Sequence, residues 1–186
     1  MAPGQMEEEM ALFSRRIEVT VEEEGMNLRL SGKLDDTRLG QALHRIEVEM
    51  LVSAREGKIL EIGGSMPVGP MEVCPEGFAP LQELVGLEIK PGFSDTVRNT
   101  VGSNRGCSHL SALVMNMGNV SVQGRGAFLR KHLPDDSARA TAMVESAKRL
   151  KLVDSCVAWR LDGPLMQRYR QAAGEPGEEG MEGPQD

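Results

Sequence analysis

Between residues 15 and 63 apolar and polar side chains alternate with period two, and this limits the N-terminal half of the chain to an antiparallel sheet. Ile17, Val19 and Val21 alternate with Glu18, Thr20 and Glu22. After a turn at Glu23-Glu24-Gly25, Met26, Leu28 and Leu30 alternate with Asn27, Arg29 and Ser31. A helix would scatter these apolar positions around its axis, whereas a strand sets them all on one face. Two such runs about a short Gly-containing loop predict a hairpin. Ile46, Val48, Met50 and Val52, the turn Arg55-Glu56-Gly57-Lys58 and a return run from Ile59 to Ile62 predict a second. The expected product is a four-stranded antiparallel sheet with one apolar and one charged face. Gly63-Gly64, Pro67, Gly69 and Pro70 predict its end. Leu34-Asp35-Asp36-Thr37 reads as a strand end that caps a turn.

The period then changes. Phe78, Leu81, Leu84 and Val85 recur at helical spacing, with Pro80 restricted to a first turn or to the end of a short helix. Phe93, Val97 and Val101 predict a helix with Ser94 as N-cap and Gly102 as stop. Leu110, Leu113, Val114 and Met117 form a stripe capped at Ser108 and interrupted at Gly124-Arg125-Gly126. Asp135, Asp136 or Ser137 caps a further helix with the stripe Met143, Val144, Ala147 and Leu150. Lys148, Arg149 and Lys151 lie near its C-terminal end, where they complement the helix dipole. Val157 to Leu161 reads as extended, and Pro164 opens a last short helix through Tyr169. Strands first and helices afterwards predict an α+β fold, the four-stranded sheet being packed by C-terminal helices. The expected organisation is a flexible head (1–12), one α+β domain (13–173, with sheet over 13–66 and mainly helix over 72–173) and a disordered acidic tail (174–186).

The net charge of -7 misleads about partners. Glu7, Glu8 and Glu9 and the tail acids Glu175, Glu178, Glu179, Glu182 and Asp186 carry it, and the body between them is nearly neutral. With one Trp, one Tyr and four Phe, a base-stacking platform has little to build on, so nucleic acid is disfavoured. No apolar run approaches the ~20 residues of a membrane span. The N-terminus lacks the cationic and apolar regions of a signal peptide, which sets a cytoplasmic expectation. A protein partner is compatible with this surface, and the sequence specifies no oligomeric state.

Three cysteines, Cys74, Cys107 and Cys156, make no disulfide framework. Gly102-Ser103-Asn104-Arg105-Gly106-Cys107-Ser108-His109-Leu110 is the most informative stretch. Cys107 stands at the mouth of a helix, where unpaired amides favour nearby negative charge, and His109 lies in the first turn of that helix. Cys74 precedes Pro75, a residue suited to a helix start. Cys74, Cys107, His109 and Cys156 together are the candidate metal ligands, for zinc or for an iron–sulfur cluster. Asp36 or water is the fourth ligand if Cys156 stands apart. An alternative keeps the thiol and drops the metal, giving a thiol-dependent enzyme or small-molecule binder centred on Cys107 and His109. Because two residues at a helix start diverge around its axis, a spatial neighbour such as His44, His132 or Asp36 would complete that machinery. A third alternative is a non-catalytic interaction module whose cysteines are core filler. Gly102 to Gly106 lacks the nucleotide P-loop pattern and reads as a turn.

Several of these residues recur in order in a known family. Arg15-Arg16-Ile17, Leu34, Asp36 and Thr37, Cys74-Pro75, Leu84-Val85-Gly86-Leu87, Pro91-Gly92-Phe93 and Gly106-Cys107-Ser108-His109-Leu110 resemble the bacterial family catalogued as domain of unknown function 2889. The resemblance extends over residues 13–168, since Cys156-Val157-Ala158-Trp159-Arg160-Leu161-Asp162-Gly163 is similar to the C-terminal extension of some members. His44-Arg45 departs from a His-Asp pair usual in the family. The family has no established activity, so the resemblance implies none. More distantly, the order of sheet first and cysteines at later helix ends is similar to iron–sulfur cluster scaffold proteins, an analogy of layout. The leading expectation is thus a small metal- or iron–sulfur-cluster-binding accessory protein.

Overall fold

Four long strands follow one another as a meander: β1 (Phe13–Glu24), β2 (Asn27–Arg38), β3 (Gln41–Ser53) and β4 (Ile59–Val68), in the spatial order β1-β2-β3-β4 and antiparallel throughout. The computed structural model describes residues 11–133 and 135–174. The expectations for the head before residue 11 and for the tail after residue 174 lie outside the described residues. The β2–β3 turn is two residues long, and Leu39 and Gly40 both have positive φ, 50° and 74°. That backbone twist matches the right-handed twist of the strands it joins.

The alternation sorts the side chains as expected. Leu28, Leu30, Leu34, Ile46, Val48, Met50 and Val52 are buried on one face. Ile17, Val19 and Val21 share that phase on β1 but are half-buried, because β1 is an edge strand. The other face carries cross-strand polar pairs. Arg45 donates to Asp35 at 2.8 Å and Ser31 to Glu49 at 3.0 Å.

The sheet reaches further than its glycines and proline suggest. β4 continues through the pattern break read at Gly63-Gly64 and passes the expected sheet boundary at residue 66 by Pro67 and Val68. A Cβ at Gly64 would lie 2.5 Å from the Glu47 carbonyl oxygen and 2.9 Å from the Phe78 ring, so glycine there permits close packing. Pro67 is on an edge strand, where a missing N–H is tolerated. Leu34 to Thr37 likewise belong to β2 and cap no turn.

Residues Cys74–Leu84 form successive 3-10 turns, which accommodate Pro80 in their interior while Leu81 and Leu84 are buried. Helix α1 (Phe93–Thr100) buries Phe93 and Val97 and starts from Gly92, φ 94°, with Ser94 already inside it. Helix α2 (Ser108–His132) is continuous; Gly124-Arg125-Gly126 does not interrupt it. Its glycines mark close approaches instead. A Cβ at Gly124 would lie 2.7 Å from a Val21 methyl, and one at Gly118 would strike the Phe93 ring. Met117 and Leu113 pack over Gly32 of β2, so α2 covers the apolar face of the sheet.

Helix α3 (Asp136–Arg149) is capped by Asp135, whose carboxylate accepts from Ala138 N at 2.7 Å. Val144, Ala147 and Leu150 are buried as the stripe predicts. Val157–Trp159 is a 3-10 turn rather than an extended run, closed by Trp159 N donating to the Cys156 carbonyl at 3.0 Å. Helix α4 (Pro164–Ala173) opens at its proline and buries Met166. The chain divides between Gly124 and Arg125 into two compact units. The first holds the sheet, the 3-10 turns, α1 and most of α2; the second holds the end of α2, α3 and α4. Among the described residues no helix is long and apolar enough to cross a membrane.

Candidate functional site

The buried face of the sheet ends in polar residues. Arg15 on β1 pairs with Asp36 on β2, and Asp36 pairs with His44 on β3. These are direct cross-strand neighbours in the same phase as the apolar rows: Asp36 follows Leu30 and Leu34, and His44 precedes Ile46 and Val48. A register shift beside Asp36 sets this up. Thr37 pairs with Ala42 while Asp36 pairs with His44, leaving Leu43 as the extra residue of a bulge. Arg15 grips Asp36 with two parallel bonds, Nε to Oδ1 at 2.7 Å and Nη2 to Oδ2 at 2.8 Å. His44 Nδ1 lies 3.0 Å from Asp36 Oδ2. The Asp36 side chain is fully buried, and Arg15 keeps 33% of its side chain exposed. A buried carboxylate is tolerable here because it is bidentately paired and hydrogen-bonded a third time.

The mouth of α2 meets this row. The Cys107 carbonyl accepts from Ser111 N at 2.9 Å, so Cys107 itself occupies the cap position and Ser108 is the first helical residue. Cys107 N donates to the Val101 carbonyl at 2.7 Å. Gly106 allows that loop to fold back, because any Cβ there would run into the same carbonyl. His109, in the first turn, stacks on His44 with ring centroids 4.0 Å apart and planes tilted by 32°. Its Nδ1 lies 3.6 Å from Cys107 Sγ. One donor atom each from Asp36, His44 and His109 lies within 4.8 Å of the other two.

Charge and burial set the protonation states. The Arg15 guanidinium, through its hydrogen bonds and its charge, holds the Asp36 carboxyl below the usual carboxylate range against the opposing effect of burial, and His44 adds to this. Asp36 in turn raises Arg15, with a smaller contribution from Cys107. Burial first, then the neighbouring His44 and Arg15, push His109 below the ordinary histidine value, with Asp36 opposing. His109 is therefore a neutral imidazole at neutral pH and keeps a lone pair for an ion or a proton.

Of the residues singled out from sequence, Cys107 and His109 come together. Cys74, half-buried, starts the 3-10 turns, and exposed Cys156 precedes Val157 in the second unit. Neither belongs to a set of three donors within 4.8 Å of one another among the described residues. Asp36 and His44, considered above only as supplementary partners, stand at the centre. The signal for them lay in the phase of the strands: continuing Leu28, Leu30 and Leu34 by two residues reaches Asp36, and stepping back by two from Ile46 reaches His44.

No curated protein and no solved structure matches the chain. The family match ends before Cys156 and contains Arg15, Asp36, His44, Cys74, Cys107 and His109. Since residues 13–123, more than half of the chain, match the family described as protein of unknown function (DUF2889), the chain belongs to that family.

Proposed function

We propose that this protein binds a single divalent transition-metal ion through His44, His109 and Asp36. The observation that carries the reading is the convergence of three donors within 4.8 Å of one another from β2, β3 and the start of α2. Two imidazoles and a carboxylate make up a donor set that zinc and non-haem iron(II) accept. His44 Nδ1 and Asp36 Oδ2 stand 3.0 Å apart, a spacing that two ligands of one ion keep when the ring carries its proton on Nε2. Nitrogen and oxygen donors favour a mononuclear ion over an iron–sulfur cluster, which needs several thiolates. Three protein donors leave room for water or a small molecule on the ion, the arrangement of a working site.

A second reading, thiol chemistry at Cys107 with His109 as base, draws support from their 3.6 Å separation. The interaction-module reading loses its premise, since Cys74 and Cys107 are half-buried and Cys156 is exposed. Elemental analysis of tag-free protein, followed by calorimetric titration of the metal-depleted chain with Zn(II), tests the metal reading. One ion per chain is expected, with binding lost in His44→Ala and His109→Ala. Absence of saturable binding by the folded wild type overturns it.

A further inference from the structure

We propose that Cys107 is a further ligand of this ion and the residue that makes the site select thiophilic metals. This rests on the metal reading above. Its first support is electrostatic. Arg15 is bonded to both oxygens of Asp36 and cancels its charge, and the two histidines bind metal as neutral bases. The three-donor set therefore offers a dication no net negative charge, and taking an ion into a half-buried site without one is costly. The thiolate of Cys107 supplies it.

The second support is geometric. In a tetrahedral site with a metal–sulfur bond of about 2.3 Å and a metal–nitrogen bond of about 2.0–2.1 Å, the two donors stand roughly 3.5 Å apart. Cys107 Sγ and His109 Nδ1 are 3.6 Å apart. Sγ lies outside the group of three donors within 4.8 Å of one another, so coordination by all four needs a small closing movement of the side chains that keeps the Cys107–His109 separation. The backbone that carries it is fixed at both ends, by the bond from Cys107 N to Val101 and by the bond that the Cys107 carbonyl accepts from Ser111. Gly77 of the 3-10 turns closes over it, leaving space so small that an added Cβ would lie 3.1 Å from the Cys107 Cβ. On binding, the ion displaces the thiol proton, which passes to solvent, and the sulfur lone pair forms the new bond. A sulfur donor favours zinc, cobalt and iron(II) over magnesium, calcium and manganese.

Co(II) titration of the full-length, metal-free, reduced protein tests this. The expected result is an intense near-ultraviolet thiolate-to-cobalt charge-transfer band with the wild type. The band persists in Cys74→Ser and Cys156→Ser and is lost in Cys107→Ser, which binds cobalt at least about a hundredfold more weakly, since losing a direct ligand costs no less than losing an orienting partner. In parallel, Zn(II) protects Cys107 of the wild type from alkylation while Cys74 and Cys156 stay reactive, a measurement that needs no variant to fold. Cobalt bound with d–d bands and no charge-transfer band, or a band that survives Cys107→Ser, or Cys107 alkylated equally with and without zinc, overturns the Cys107 assignment and leaves the metal reading standing. No cobalt bound at all overturns both.

Discussion

Arg15 is the residue on which the site's electrostatics turn. Replacing it with Met strands a fully buried carboxylate beside His44. Breaking a buried ion pair from one side costs about 3–5 kcal/mol; with a third of the Arg15 side chain exposed, solvent screening sets the expectation near the lower figure, about 3 kcal/mol. Thermal denaturation at neutral pH checks this. The pH dependence has a definite sign. The folded pKa of Asp36 lies below its ordinary value of 3.8, so the ion pair's contribution is fully present above that value and is lost as pH falls through the folded pKa. The stability gap between wild type and Arg15→Met should therefore narrow in acid below the ordinary carboxylate range; a gap that stays constant down to strong acid contradicts the pairing. Cys107 and His109 were legible in the sequence because both sit at one recognisable helix start. Asp36 was legible only as a supplementary partner, because an acid near a strand end serves a turn cap and a buried pair equally well, and only the cross-strand register with Arg15 and His44 separates the two.

At the level of elements, α2 shows why some boundaries were hidden. Glycine weakens a helix through backbone entropy, so Gly124-Arg125-Gly126 reads as a break. The packing overrides it, since Gly124 lies against Val21 and Gly118 against the Phe93 ring. Two alanine substitutions in this one helix should consequently move stability in opposite directions. Gly126, with nothing within 4 Å of an added Cβ, gains about 0.4–1 kcal/mol as alanine. Gly118→Ala receives the same propensity benefit but drives a methyl into a buried ring, 2.8 Å from Phe93 Cδ1, and loses about 1–3 kcal/mol net. Urea titration of both variants measures the contrast, and a stabilised Gly118→Ala refutes the packing account. The hairpins were legible because alternation and turn residues agree. The continuation of β4 through Gly64 and Pro67 was not, since it depends on Phe78 packing from another segment and on the edge position of the strand.

For the whole molecule, the family match and the first compact unit end within a residue of each other, at 123 and 124. Arg15, Asp36, His44, Cys107 and His109 all fall inside both. A chain ending at His132, which retains all of α2, should therefore bind Co(II) with the affinity of the full chain and the same spectrum. A large loss of affinity, measured with the shortened chain shown to be folded, would place part of the site beyond that point. The four-strand sheet followed by helices was readable from the change of period alone. The division of the chain at Gly124 coincides with the Gly124-Arg125-Gly126 interruption of the apolar stripe, which reads in sequence as a helix break although α2 runs through it.

The row Arg15–Asp36–His44 and the pair Cys107–His109 also differ in when the chain can assemble them. The row needs hairpin contacts between neighbouring strands, which close short loops and form early. His109 and Cys107 reach the row only when the mouth of α2 docks on the sheet, a contact between segments far apart in sequence. An ion that needs both halves cannot bind a chain in which the meander alone has formed. In a stopped-flow refolding experiment, the cobalt signal would thus appear no earlier than the docking of α2 on the sheet and would mark that event.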